Sequence, residues 1–368
     1  MNLKKLISNL KIEKISGNPD IEIEGLVYDS RKVRKNFLFI AIRGFKQDGH
    51  QFISQAIKKG AKAIIVEKDT PILSPDVVLI KVPSSRLALS MVSNYFYGFP
   101  SQKMKVIGIT GTNGKTTTIY MLESILTTAN FKVGKISTID YNLGDKLYSS
   151  HPSFITTPEP EELQRMLRTM ADKKVEYVAV EVSSHSLVLH RVEGIEFDWL
   201  IFTNLSPEHL DFHKTMDNYL EAKASLFKKS ESNSREKTSR KAVINVDEEA
   251  GNYILRNTPY PTITYGIKER AFFQAKIVKT EIERTSFILK MKGEEKGKID
   301  LSLPGIHNVY NALAAAAVGF GENISLSLIK RGLESLKRVP GRLELIENRR
   351  HLKIFVDYAH TQDGLDKV

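Results

Sequence analysis

Residues 108–118 read Gly-Ile-Thr-Gly-Thr-Asn-Gly-Lys-Thr-Thr-Thr. Just before them, Met104–Ile109 is short, apolar and rich in β-formers; just after, Thr117–Ala129 carries apolar residues at helical spacing. Gly108, Gly111 and Gly114 let backbone N–H groups approach an anion closely, and the following helix turns its positive end toward the same point. Lys115 supplies a mobile cation and Thr116 a hydroxyl suited to Mg²⁺, the division of labour of a nucleoside-triphosphate site. The spacing departs from the strict phosphate-loop motif, whose first glycine would fall at 109, where Ile109 stands. The strand–loop–helix context carries the reading, and ATP with Mg²⁺ is the expected ligand pair.

Beyond this loop the pattern alternates strand and helix. Glu161–Lys173 reads as an amphipathic helix, Tyr177–Val182 as a buried strand and Trp199–Thr203 as another. Such alternation predicts an α/β fold with a mostly parallel sheet and helices on both faces. Lys228–Lys241 is polar and charged and is expected to be a surface loop. Ala271–Leu303 alternates apolar and polar residues, and Gly293-Glu294-Glu295-Lys296-Gly297 suggests the turn of an antiparallel hairpin. Asn308–Gly319 is an alanine-rich helix able to pack closely. Upstream, strands at Ile21–Tyr28, Asn36–Ile42, Ala61–Val66 and Val77–Val82, with helices at Gln51–Lys59 and Arg86–Tyr97, outline a small α/β domain. Gly98-Phe99-Pro100-Ser101 reads as its linker. Downstream, Leu352–Tyr358 reads as a fresh buried strand, the opening of a third domain whose remainder is expected to be absent. The expected division is 1–100, 101–340 and 341–368.

Composition narrows the function classes. The chain has 368 residues, with 41% hydrophobic and 26% charged, enough for two or three globular domains. No apolar run reaches membrane-spanning length, and the N-terminus lacks a signal-like apolar segment. Without cysteine there are no disulfides and no thiolate metal sites, which fits the cytoplasm; any metal is held by oxygen or imidazole. The net charge of +11 is scattered and accompanies no nucleic-acid motif, which leaves a plain lysine-rich surface or the steering of a small, highly anionic substrate.

Three further segments carry candidate chemistry. Glu181 ends an apolar strand, and strand carboxyl ends gather at the ligand crevice of open α/β sheets, so it can reach a Mg²⁺ held by Thr116. Thr203–His213 (Thr-Asn-Leu-Ser-Pro-Glu-His-Leu-Asp-Phe-His) gathers His209, Asp211 and His213 after the next strand, where a metal or phosphate could bind. In Tyr219–Phe227, Lys223 sits between Ala222 and Ala224; spacing alone makes it an ordinary surface lysine.

Together these segments resemble the Mur ligases of bacterial cell-wall synthesis, most closely the tripeptide synthetases that add the third residue of the peptide stem. Asp29-Ser30-Arg31, Leu38-Phe39-Ile40-Ala41 and Asp48-Gly49-His50 resemble that family's UDP-binding domain. Gly111–Thr118, Thr156-Thr157-Pro158, Glu181–His185, Thr203–His213, Lys223, Asn308–Asn311 and Pro340-Gly341-Arg342 resemble its central ATPase domain. Asp357-Tyr358-Ala359-His360 resembles the start of its Rossmann-like third domain.

The resemblance implies roles. Gly111, Thr112, Asn113, Gly114, Lys115, Thr116 and Thr117 would bind the ATP phosphates. Thr116 and Glu181 would hold one Mg²⁺. His209 would help hold a second, with Lys223 as a carbamate, an oxygen-donor anion of the kind Mg²⁺ prefers. Lys115, Glu181, His209 and Lys223 are thus the implied catalytic set. Asn308 and Asn311 would line the adenine side, and Arg342 and Asp357 would contact ATP. Ser30, Phe45, Lys46 and Gln47 would face uridine, while Thr156, Thr157, Ser184 and Arg191 would hold the muramoyl-peptide. Leu189 stands where relatives commonly have a glutamine, so that contact is expected to be lost or replaced.

The implied reaction is ATP-dependent amide ligation to UDP-N-acetylmuramoyl-L-alanyl-D-glutamate through an acyl phosphate, with meso-diaminopimelate and L-lysine both open as the incoming diamino acid. The short third segment implies poor activity for this chain alone. Two alternatives stand: the sister ligase adding D-alanyl-D-alanine, and a non-catalytic nucleotide- and UDP-sugar-binding remnant. A folylpolyglutamate synthetase is disfavoured by the hundred residues before the loop.

Overall fold

The computed structural model describes residues 1–45, 47–71, 74–145, 147–149, 155–228, 239–350, 352–360 and 362–366. Two compact units emerge. The first contains Met1–Pro100 together with Pro158–Arg168 and Val188–Ile195; the second contains Ser101–Thr157, Thr169–Leu187 and Glu196–Val368.

The first unit is built on a five-stranded sheet in the order Lys14–Ser16, Val78–Lys81, Ala61–Val66, Phe37–Ile40, Gly25–Val27, parallel except at the first pairing. Successive strand residues face opposite sides. Leu38, Ile40 and Ile65 therefore join one buried cluster with Leu89 and Val92 of the helix Ser85–Phe96, while Phe39, Ile64 and Val66 join another with Ile53 and Ala56. The Ser84 hydroxyl caps that helix by accepting from the Leu87 amide at 3.2 Å.

The second unit holds an eleven-stranded sheet with the phosphate-loop strand Lys105–Thr110 near its middle. Tyr177–Glu181 and Trp199–Phe202 flank that strand, both parallel to it. The parallel run extends through Val133–Ile136 on one side and through Lys241–Asn245, Thr262–Gly266 and Phe273–Thr280 on the other; the antiparallel pairings lie toward the two edges. The α/β class with a mostly parallel central sheet is therefore the one observed. The loop helix Lys115–Thr128 and the alanine-rich helix Ile306–Gly321 share the main buried core with Trp199, Phe273 and Phe287. In the latter helix Ala312 and Ala314 through Ala317 are all fully buried, so its small side chains serve close packing. Among the described residues no helix is long and apolar enough to cross a membrane.

Two expectations change. The hairpin turns on Lys292 and Gly293 alone, both with positive φ (52° and 86°), as a two-residue hairpin turn favours. Glu294–Leu301 is already strand, with a register shift opposite Leu289 and Lys290, so the charged run 294–297 is a solvated sheet edge. The strand expected at Leu352–Tyr358 is only Ile354–Val356. It pairs with Glu344–Ile346 in a two-stranded ribbon, and Ile354 and Val356 are 43% and 47% exposed, not buried. The expected polar loop Lys228–Lys241 falls mostly on 229–238, outside the described residues, and Lys241 already belongs to a strand.

Candidate active site

The loop after Lys105–Thr110 is fixed by the segment that follows the neighbouring strand. Asn204 accepts from the Thr112 amide through its carbonyl (2.9 Å) and from the Asn113 amide through Oδ1 (2.9 Å). The Asn113 carbonyl accepts from the Thr203 hydroxyl at 2.7 Å and from Asn204 Nδ2 at 3.1 Å. Gly111 (φ +148°) lies where a Cβ would stand 1.9 Å from Thr203 Oγ1, and Gly114 (φ +86°) where it would stand 2.3 Å from Asn311 Oδ1. Both positions admit only glycine. Gly111→Ala is expected to displace Thr203 and open the loop. Melting temperature and ADP affinity, measured together, should both fall; an unchanged ADP affinity would show that the loop absorbs the methyl.

Lys115 folds back over this turn, its ammonium donating to the carbonyls of Gly111 (3.0 Å) and Thr112 (2.7 Å). Burial lowers its pKa, opposed by the charges of Glu181 and Glu208. The Thr116 hydroxyl, one residue into the helix, donates to Glu181 Oε1 at 2.7 Å and accepts from Arg342 Nη2 at 3.3 Å. Arg342 also lies over the Tyr358 ring, 4.8 Å from its centroid. Asp357 accepts the amides of Leu343 and Ala359, each at 2.6 Å, and so holds the turn that carries Arg342.

Glu181 is 1% exposed and emerges at the carboxyl end of its strand. Thr116 and Glu181 offer only hard oxygen donors. Among the described residues no group of three or more His, Cys, Asp or Glu could hold a metal ion. That donor set fits Mg²⁺, which completes its shell with phosphate oxygens and water rather than with a protein cage.

Lys223, 1% exposed, is not a surface lysine. It donates to the Gly111 carbonyl at 2.9 Å and lies 4.4 Å over the Tyr219 ring. Burial, aided by the Lys115 charge, holds its pKa well below that of an ordinary lysine. The residue spacing gave no sign of this burial. His209 takes a left-handed backbone (φ 55°) just before the short helix Leu210–His213; its ring lies edge-on to those of His185 (4.6 Å) and Tyr219 (6.4 Å). Burial lowers its pKa, as do the charges of Lys223 and Lys115. His213 is instead tied to the Ser184 hydroxyl at 2.9 Å.

The remaining expected residues fall as follows. Thr157 donates to the Glu181 carbonyl at 2.9 Å, and Thr156 lies beside Thr138 at 3.2 Å, so both stand at the Glu181 strand end. Asn311 accepts from Thr118 at 3.4 Å and donates to Asn308 at 3.1 Å, placing both against the first turns of the loop helix. In the first unit, the buried Ser30 hydroxyl donates to Gln55 at 2.8 Å, Arg191 pairs with Glu159 at 2.7 Å, Phe45 is 72% exposed, and the Gly44 amide donates to the Gln47 carbonyl at 2.9 Å. Lys46 lies outside the described residues.

Sequence reasoning missed Glu208 and Thr138. Glu208 accepts from the Tyr219 hydroxyl at 3.4 Å and lies 3.6 Å from His209 and 3.4 Å from His360. It lies within Thr203–His213, whose histidines are the more conspicuous ligand types.

Two family descriptions match the chain: the Mur ligase middle domain over residues 109–319 and the Mur ligase family catalytic domain over residues 22–97. The chain belongs to the Mur ligase family. It is similar to the UDP-N-acetylmuramoyl-L-alanyl-D-glutamate–2,6-diaminopimelate ligase of Clostridium tetani, 45% identical over 373 residues, covering all of this chain and 74% of the relative. The ligase of the same name from Bacillus velezensis is 40% identical over 370 residues, with the same coverage of both chains. A solved ligase of that name shares the fold with a TM-score of 0.79 at 24% identity, over 99% of this chain and 72% of that one. The MurF ligase of Thermotoga maritima in complex with ADP gives a TM-score of 0.59 at 25% identity, over 88% of this chain and 68% of that one.

Proposed function

We infer that the protein is an ATP- and Mg²⁺-dependent ligase of peptidoglycan precursor synthesis, acting in the cytoplasm, that joins 2,6-diaminopimelate to UDP-N-acetylmuramoyl-L-alanyl-D-glutamate. The observation that carries the chemistry is the Thr116–Glu181 pair, 2.7 Å apart beside the glycine loop and Lys115. The choice of diaminopimelate over L-lysine rests on relatives of 40–45% identity that bear that substrate in their names.

In the proposed reaction a carboxylate oxygen of the D-glutamyl residue attacks the γ-phosphorus of ATP. The P–O bond to ADP breaks, leaving an acyl phosphate. The amine of the diamino acid then attacks the acyl carbon, loses a proton, and phosphate departs with the C–O bond. Loop amides and Lys115 would hold the phosphates and balance charge on the transferring group, so this is catalysis by positioning and electrostatics. Bound Mg²⁺, held by Thr116 and Glu181 with a second ion at His209 and carbamylated Lys223, would supply further charge neutralisation. A Lys223 amine whose pKa burial lowers suits carbamylation: in its neutral form it adds to CO2, forming an N–C bond and releasing a proton.

The other assignments are part of the same proposal. Asn308 and Asn311 would serve the adenine side, with Arg342 and Asp357 contacting ATP. Ser30, Phe45, Lys46 and Gln47 would take uridine; Thr156, Thr157, Ser184 and Arg191 would take the muramoyl-peptide. Residues 1–100 would be the UDP-sugar segment, 101–340 the ATP segment and 341–368 the start of the amino-acid segment.

The test is an ADP-release and product assay with ATP, Mg²⁺ and the nucleotide-sugar dipeptide. ADP release is expected to require the dipeptide, and tripeptide to form with diaminopimelate in preference to L-lysine. Release that ignores the dipeptide, or D-alanyl-D-alanine joined to a tripeptide substrate, would overturn the proposal.

A further inference from the structure

We infer that Thr138 is a positioning residue that fixes both oxygens of the Glu181 carboxylate for the metal-bound nucleotide. The inference rests on the reading of Thr116 and Glu181 given above. The Thr138 backbone amide donates to Glu181 Oε1 at 2.9 Å, and its hydroxyl donates to Oε2 at 2.9 Å. One residue thus engages each carboxylate oxygen from a different donor, which sets the plane of the group as well as its place. Thr116 adds the third hydrogen bond, at 2.7 Å to Oε1. Thr156 Oγ1 lies 3.2 Å from the Thr138 hydroxyl; a hydroxyl carries one proton, and the charged carboxylate is the stronger acceptor for it.

The turn bearing Thr138 is itself built to stay still. Ser137 Oγ accepts the amides of Ile139 (3.2 Å) and Asp140 (3.1 Å), and the Ser137 amide donates to the Asp140 carbonyl at 3.1 Å. Asp140 Oδ2 accepts from the Tyr120 hydroxyl at 2.8 Å and lies 3.2 Å from Lys135, which also pairs with Glu123 at 2.7 Å. Ser137, Asp140 and Lys135 are 1%, 6% and 3% exposed. A buried ionic cluster of this kind is costly unless every member is partnered. Here its members hold one another and deliver a single outward product, the orientation of Thr138. Partners that orient a metal-binding carboxylate typically change metal affinity by about 10–100-fold when removed.

The experiment is titration of ADP against the full chain, with and without Mg²⁺, for wild type, Thr138→Val, Thr138→Cys and Thr138→Ser, with melting temperatures of the nucleotide-free proteins. Thr138→Val is expected to weaken the Mg²⁺-dependent part of ADP binding by about 10–100-fold. Metal-free ADP affinity is expected to stay at the wild-type value, and Thr138→Ser to restore the metal response. Should the valine variant not fold, Thr138→Cys, with its weak donor, is read in its place. A wild-type Mg²⁺ response that survives loss of the hydroxyl overturns the inference alone, as does a serine variant as impaired as valine. A wild-type protein whose ADP affinity ignores Mg²⁺ overturns the Thr116–Glu181 reading and this inference with it.

Discussion

Replacing Lys115 with methionine is expected to lower ligation turnover by about 10²–10³-fold, while the nucleotide-free protein melts at the same temperature or higher. The two halves of this prediction have one cause. In the nucleotide-free protein the half-buried side chain holds its ammonium against two carbonyls, and desolvation pulls its pKa down despite Glu181 and Glu208. Burying a cation without a directly bonded carboxylate costs stability, so a methionine of similar length relieves the fold of that cost. What disappears is the positive charge that meets the transferring phosphoryl group. Steady-state kinetics and a thermal melt of the same preparation check both halves. A Lys115→Met protein that loses activity and stability in parallel would assign Lys115 to the fold instead.

The second large effect is expected at Lys223. Lys223→Ala should reduce turnover on the order of 10²-fold or more, the scale of losing one preorganised charge at the reacting centre. The wild type should lose activity when CO2 and bicarbonate are stripped from the buffer and regain it on their return. The pH dependence has a definite sign. The folded-state pKa is lowered, so the neutral amine that captures CO2 persists to lower pH than in an exposed lysine. Capture should decline as the pH falls through that lowered value, where the amine protonates. Labelled bicarbonate should give a carbamate carbonyl signal that is missing from Lys223→Ala. Full activity without CO2, and no such signal, would remove Lys223 from the proposed metal site.

Much of both sheets was legible because their inner strands are buried on both faces and read as unbroken apolar runs. Ala61–Val66 has the expected limits, and Tyr177–Glu181 and Trp199–Phe202 each end one residue early. The loop and Glu181 were legible because backbone geometry dictates glycine there, and because a carboxylate closing an apolar strand is conspicuous. Edge elements were not. In Glu294–Leu301 both faces of the first residues meet water, so no apolar alternation marks them as strand. Ile354–Val356 looks buried by composition, yet composition does not say whether a second layer covers it. Lys223 and Thr138 failed for a different reason. Their surroundings come from Gly111 and Glu181, residues far away in sequence, and no local period records such a meeting. Glu208 fails similarly: beyond its neighbour His209, its partners Tyr219 and His360 come from other turns of the chain.

The makeup of the first compact unit constrains how such an enzyme can be recombined. Its helix Ser85–Phe96 is followed by Tyr97, whose hydroxyl reaches Glu161 at 2.9 Å, and Asn94 packs against Gly194 beside Gln164. These partners return to the unit only after the chain has already traced the ATP loop. A chimera with its crossover at residue 100 would therefore inherit a mismatched seam, whatever nucleotide-sugar preference it was meant to acquire. Grafts between relatives should carry 158–168 and 188–195 along with the first hundred residues, so this unit is inherited as three interleaved strips of gene rather than one.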